Sequence, residues 1–175
     1  MYLRRVSTIT SRPRWTIKEL FIWLAALLAL AIGTPALSNV RTGDLGAGAL
    51  LGEPLGPCLK YWNSNTRAVD GGIGLNSNVV LYGDYLWHGW ETAPQPGQGL
   101  LGLYAGVGPR LEFRSRDDNR IGVRVPAGLD YFFDSEPLEL FLELAPVVQL
   151  VPSATLHLDA GIGLRYYFVK LEPRK

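Results

Sequence analysis

The chain has 175 residues, 47% of them hydrophobic and 19% charged, with 20 glycines and a formal net charge of +1. Its length fits one domain. The charge is uneven: the first 38 residues carry about +4, which leaves about −3 for the rest, a mildly acidic body with no basic face for nucleic acid.

The N-terminal segment reads as a processing signal. Arg4, Arg5, Arg12, Arg14 and Lys18 precede an unbroken apolar run over residues 20–33, and Thr34-Pro35-Ala36-Leu37-Ser38 follows. A basic region, a short apolar core and a small-residue exit make a secretory signal peptide over residues 1–38, with cleavage after Ser38 or Ala36. The apolar run falls short of the roughly 20 residues that a membrane-spanning helix needs. The domain proper then covers residues 39–175.

In that domain, short segments alternate apolar and polar residues and stop at Gly, Pro, Asn, Asp and Ser clusters. Eight strands are predicted, over 44–52, 55–62, 67–75, 79–88, 100–114, 120–133, 138–150 and 155–168. The last two are clearest. Leu138, Leu140, Leu142 and Leu144 interleave with Glu139 and Glu143, and Leu156, Leu158, Ala160, Ile162 and Leu164 interleave with His157, Asp159, Gly161 and Gly163. A strand sends successive side chains to opposite faces, so one face is apolar and the other carries charges and glycines. The even strand number, the strand lengths and the short turns predict an all-β fold: an eight-stranded antiparallel up-and-down transmembrane β-barrel, apolar outside and charged inside. Closure would also remove the edges of so apolar a sheet. The lone cysteine, Cys58, cannot form an intramolecular disulfide and reads as a small packed strand residue.

Parity assigns the lumen. Lys60, Arg110, Arg124 and Arg165 bring positive charge there, with Asp70, Asp84, Glu112, Asp130, Glu139, Glu143 and Asp159 negative and His157 on the same face. The turn near Pro152 sets Glu139 opposite Arg165, and the turn near Asp118 sets Glu112 near Arg124. Glycines at alternate positions, such as Gly46, Gly72, Gly106 and Gly163, leave room for large side chains from across the lumen. Buried charges must be paired, so the expectation is a packed ion-pair network. A narrow path favouring cations is the alternative. Aromatic residues gather at the ends of even-numbered strands: Tyr61 and Trp62, Tyr85 and Trp87, Tyr131, Tyr166 and Phe168. These ends share one side of an antiparallel barrel and so predict an interfacial belt.

Little points to catalysis. His157 and Asp159 could form a base–orienter pair, but they face the lumen, and Ser64, Ser77, Ser115, Ser135 and Ser153 fall in turns. His157-x-Asp159 supplies two metal ligands only, and Asp117-Asp118-Asn119 lacks the pattern of a calcium loop. No glycine-rich segment opens a helix, so no nucleotide loop is expected. The sequence therefore predicts a non-enzymatic protein without a cofactor. A soluble periplasmic ligand-binding barrel, with leucines inside, and a lipid-modifying outer-membrane enzyme are the rival readings.

The segments Lys60-Tyr61-Trp62, Asp84-Tyr85-Leu86-Trp87-His88, Arg120-Ile121-Gly122-Val123-Arg124-Val125-Pro126, Leu140-Phe141-Leu142-Glu143-Leu144-Ala145-Pro146 and Gly161-Ile162-Gly163-Leu164-Arg165-Tyr166-Tyr167-Phe168 resemble small eight-stranded bacterial outer-membrane barrels, the class of the OmpA and OmpX membrane domains. The resemblance extends to a family of uncharacterised outer-membrane β-barrel proteins, some from spirochaetes. It implies an outer-membrane location and a barrel, and it carries no activity; the expected partners of the barrel, read as a monomer, are membrane lipids and the outer-membrane insertion machinery. One departure is the polar tail over residues 169–175, where such barrels end on an aromatic. The turns expected to face outward are short and the longest connection, residues 89–99, is expected in the periplasm, which argues against an adhesin or receptor.

Overall fold

The computed structural model describes residues 42–115 and 117–168. The expected signal peptide and the charged tail both lie outside the described residues. Nine strands form one antiparallel sheet: β1 (Leu45–Glu53), β2 (Gly56–Ser64), β3 (Arg67–Leu75), β4 (Val79–Gly89), β5 (Leu100–Phe113), β6 (Arg120–Arg124), β7 (Ala127–Phe132), β8 (Leu138–Val151) and β9 (Thr155–Phe168). Strands pair with their sequence neighbours around the ring except at β6 and β7, and β1 closes it against β9 from Leu45↔Phe168 to Glu53↔Ala160. The result is a β-barrel.

The count of nine differs from the expected eight at one place. The predicted strand over 120–133 is cut into β6 and β7, and both halves pair with β5 on one side and β8 on the other. The two therefore share one position in the ring. The break falls at Val125-Pro126, where the proline has no N–H to give to a ladder. The wall stays closed there: Val125 N–H donates to the Pro146 carbonyl at 2.9 Å, and the Pro126 carbonyl accepts from Gly106 N–H at 2.8 Å.

The alternation sorts side chains as the strand period requires. Along β8, Glu139, Phe141, Glu143, Ala145, Val147 and Gln149 are buried, while Leu140, Leu142, Leu144, Val148 and Leu150 are exposed. The same facing runs round the ring, with Leu59, Ile73, Val107, Leu129, Leu158 and Ile162 outward. The outer wall is apolar, and the charges are inside.

Several inward glycines sit beneath rings that come from the adjacent strand rather than from across the lumen. Gly46 pairs with Tyr167, Gly72 with Tyr82 and Gly163 with Phe141. A Cβ on Gly46 would lie 2.8 Å from the Tyr167 ring. The ring lies down over its cross-strand glycine and fills the space that a side chain there would have taken.

One end of the barrel is covered. Residues 89–99, which join β4 to β5, are anchored by Trp90, whose Nε1 donates to the Asn65 carbonyl at 2.7 Å. The Gln95 amide donates to the carbonyls of Trp90 (2.6 Å), Ala93 (3.2 Å) and Leu101 (2.9 Å), and its oxygen accepts from Leu101 N–H at 3.1 Å. Gly99 has φ +75°, which only glycine adopts without strain, and its N–H donates to Asp134 at 2.6 Å. The connection thus folds back under the barrel and seats Trp90 against the inner aromatic cluster.

Candidate functional site

Among the described residues, the lumen concentrates the charged side chains. Going inward from the covered end, the first layer is aromatic: Trp62, Tyr104, Phe132 and Tyr167 pack with Leu86 and Ala68, and Trp90 and Leu100 lie against them. Trp62 and Trp90 stack with centroids 5.7 Å apart, and the His88 ring stacks on Trp90 at the same separation.

Beneath this layer sits Lys60, fully buried. Its Nζ donates to Asp130 at 3.1 Å and to Glu139 at 2.8 Å, and lies over the rings of Trp62 (4.7 Å) and Tyr104 (5.3 Å). Glu139 is the hub. It also accepts from Arg165 Nη1 at 3.1 Å and from the Tyr167 hydroxyl at 2.6 Å, which in turn accepts from Trp62 Nε1 at 3.1 Å. Arg165 reaches on to Asp70 at 2.8 Å, with its guanidinium 3.7 Å above the Phe141 ring. Glu139 and Arg165 are direct cross-strand partners, as the turn near Pro152 predicted.

The middle layer centres on Arg124. It hydrogen-bonds Glu143, contacts Asp84 at 3.2 Å and lies 4.2 Å from the Tyr82 ring. Glu143 accepts a second bond from the Tyr104 hydroxyl at 2.9 Å. Towards the uncovered end, Arg110 bridges Asp159 and Glu112, both at 3.0 Å. Glu112 also accepts from Asn78 at 2.9 Å, with Arg114 at 3.5 Å and Arg120 at 3.8 Å.

The expected lumen residues therefore all point inward, and all but His157 are buried. Arg124 does not lie beside Glu112. The register pairs Glu112 with Arg120 and Gly108 with Arg124, because the hairpin between β5 and β6 is centred two positions before Asp118. His157 is one-third exposed at the open mouth, 3.7 Å from Asp159 and beyond hydrogen-bond reach.

The belt needs one correction. Trp62 is fully buried in the lumen, since it shares parity with Lys60, and it belongs to the inner aromatic layer. The remaining belt residues stay on the outer wall at the covered end. There Tyr85–Trp87, Tyr131–Phe133 and Tyr166–Phe168 form edge-to-face pairs along single strands. His88 joins the lumen without having been placed there from sequence. It is 3.2 Å from Asp130, and its parity with Asp84 was the available signal.

Chemically, the arrangement is a filler. Four bases and seven acids cross-link all sides of the ring, and rings cover the cation faces. Removal of any one partner would leave a buried charge unpaired and destabilise the barrel strongly.

The fold is similar to the crystal structure of the N-terminal β-barrel domain of Pseudomonas aeruginosa OprF, with a TM-score of 0.51 and 15% sequence identity over 74% of this chain and 100% of that one. At that identity the likeness speaks for the fold alone. No family model matches the chain, and neither does any curated protein.

Proposed function

We propose that this chain is an outer-membrane β-barrel whose lumen is a packed ion-pair network, non-enzymatic, with a structural or membrane-interaction role. The facing carries this reading: exposed leucine, isoleucine and valine encircle the ring while the lysine, arginines and carboxylates are shut inside. A soluble protein rarely leaves so continuous an apolar surface to water. A soluble barrel carrying an apolar ligand would need the opposite facing. The aromatic girdle and the OprF-like fold support the same reading.

Membrane lipids and the outer-membrane insertion machinery are then its partners, and it acts as a monomer. The lumen does not conduct. The aromatic layer and Trp90 close one end, and the Lys60, Arg165 and Arg124 clusters occupy the space above it. The test is gel mobility of the outer-membrane fraction, boiled against unboiled, followed by planar-bilayer recording of the folded form. A heat-dependent shift with no unitary conductance is expected. Recovery in the soluble periplasmic fraction without a shift would overturn the membrane reading, and steady conductance lost on Arg165→Ala would replace the filler by a pore. His157→Ala with Asp159→Ala should leave the membrane lipid profile unchanged by mass spectrometry.

A further inference from the structure

A groove of about 580 Å³ lies in the outer wall over β2, β3 and β4, within the roughly 300–1,000 Å³ range of ligand pockets. Its sides are Leu59, Tyr61, Val69, Ile73 and Leu81, and its floor is the backbone at Gly71. Gly71 faces outward, directly opposite Leu59 on β2 and Gly83 on β4. Two neighbouring wall positions thus lack side chains altogether, in a wall otherwise built of leucine, isoleucine, valine, aromatic, alanine and proline residues.

Glycine weakens a strand, so the pair needs a cause. At Gly71 part of the cause is internal: a Cβ there would lie 2.8 Å from the Tyr82 carbonyl oxygen. At Gly83 no internal cause exists. A Cβ would come no nearer than 3.7 Å to any described neighbour, and the backbone is not in the positive-φ region. Gly71 is part of the groove's lining, and Gly83 borders it on β4, next to the lining residues Leu81 and Tyr82, where it leaves the adjoining outer surface open.

We propose that this groove binds one lipid acyl chain lengthwise, with the head group at the level of Tyr61; the inference rests on the membrane reading above. The groove is continuous with the aromatic girdle at its Leu45–Tyr61 end and runs from there along β2 towards Pro57, about 13 Å at strand rise. Lys60 and Asp70 also border it, but their side chains are buried in the lumen, so the groove's side-chain walls are apolar, and Tyr61 lies at the end where a head group would sit. A chain of methylenes fits such a slot. The convex wall of a second barrel would bridge its rim and leave it empty.

The protein is incubated in vesicles of palmitoyl-oleoyl phosphatidylethanolamine, extracted in detergent and weighed by native mass spectrometry. A lipid-bound species is expected for the folded barrel. Leu59→Trp, whose indole would lie across Gly71, should lose that species, and Leu144→Trp on the far wall should keep it. The heat-dependent gel shift of each variant reports folding separately. Folded wild-type protein without retained lipid, or Leu59→Trp that retains it, would overturn the proposal and leave the membrane reading standing. A dimer mass abolished by Leu59→Trp would give the groove to a second copy and overturn it too. A wild-type chain that stays soluble with no gel shift would overturn the membrane reading and the lipid site together.

Discussion

Arg124 is fully buried between Asp84 and Glu143 with Tyr82 against its face. Arg124→Ala should cost about 3–5 kcal/mol, because it strands two buried carboxylates. Urea unfolding in lipid vesicles measures this. Replacing the trio together, as Arg124→Met with Asp84→Asn and Glu143→Gln, should recover most of the loss, since no charge is then left unpaired. A second contrast tests inside against outside. Trp62→Ala, in the inner aromatic layer, should cost about 3–5 kcal/mol. Trp87→Ala, half-exposed on the outer wall, should cost clearly less in the same assay. Parity made most of the lumen legible from sequence: Lys60, Asp70, Arg165 and their partners follow from period two alone. Trp62 was misplaced because clustering at strand ends outweighed parity, although Trp62 lies two residues from Lys60 and must share its face. Which acid pairs with which base was less legible, because partners such as Lys60 and Asp130 are 70 residues apart and meet only across the closed ring.

Among the elements, the connection over residues 89–99 is the least strand-like and the most heavily hydrogen-bonded through side chains. Gln95 makes four of those bonds, each worth about 1 kcal/mol. Gln95→Ala should therefore leave the heat-dependent gel shift intact and speed proteolytic cleavage between Glu91 and Gln98. Equal cleavage rates would mean that Trp90 alone holds the connection. Its length and its two prolines marked it as a long loop in the sequence. Its folding back under the barrel was not legible, because that depends on Trp90 meeting Trp62 and Asn65 from another hairpin. The break between β6 and β7 is different. Pro126 stood in the predicted strand and marked a place where the ladder could be interrupted, but a missing N–H alone does not decide it, since Pro109 and Pro146 lie within the unbroken β5 and β8.

For the whole molecule, the apolar wall should respond to charge according to depth. Leu142→Arg, at mid-height of β8, should destabilise the barrel in vesicles by about 2–4 kcal/mol, and Leu156→Arg, near the rim at the start of β9, by about 0–1 kcal/mol. Equal and small effects at both positions would mean that the wall faces water. The fold class was legible because alternation persists through every strand. The closure of the ring follows from the same pattern, since an apolar face on a sheet of this size needs lipid or another layer to cover it.

The aromatic girdle marks one end of the wall only. At the other end the outward residues include Leu51, Leu75, Val79, Ile121 and Leu156, and Phe113 is the one exposed ring among the described residues there. In a bilayer, tyrosine and tryptophan set depth by holding to the head-group level, whereas leucine and valine slide freely within hydrocarbon. In a bilayer such a barrel would hang from a single collar. A thicker or thinner membrane would leave the collar in place, and the mismatch would fall on the opposite leaflet, around the mouth that holds Glu112 and Arg120.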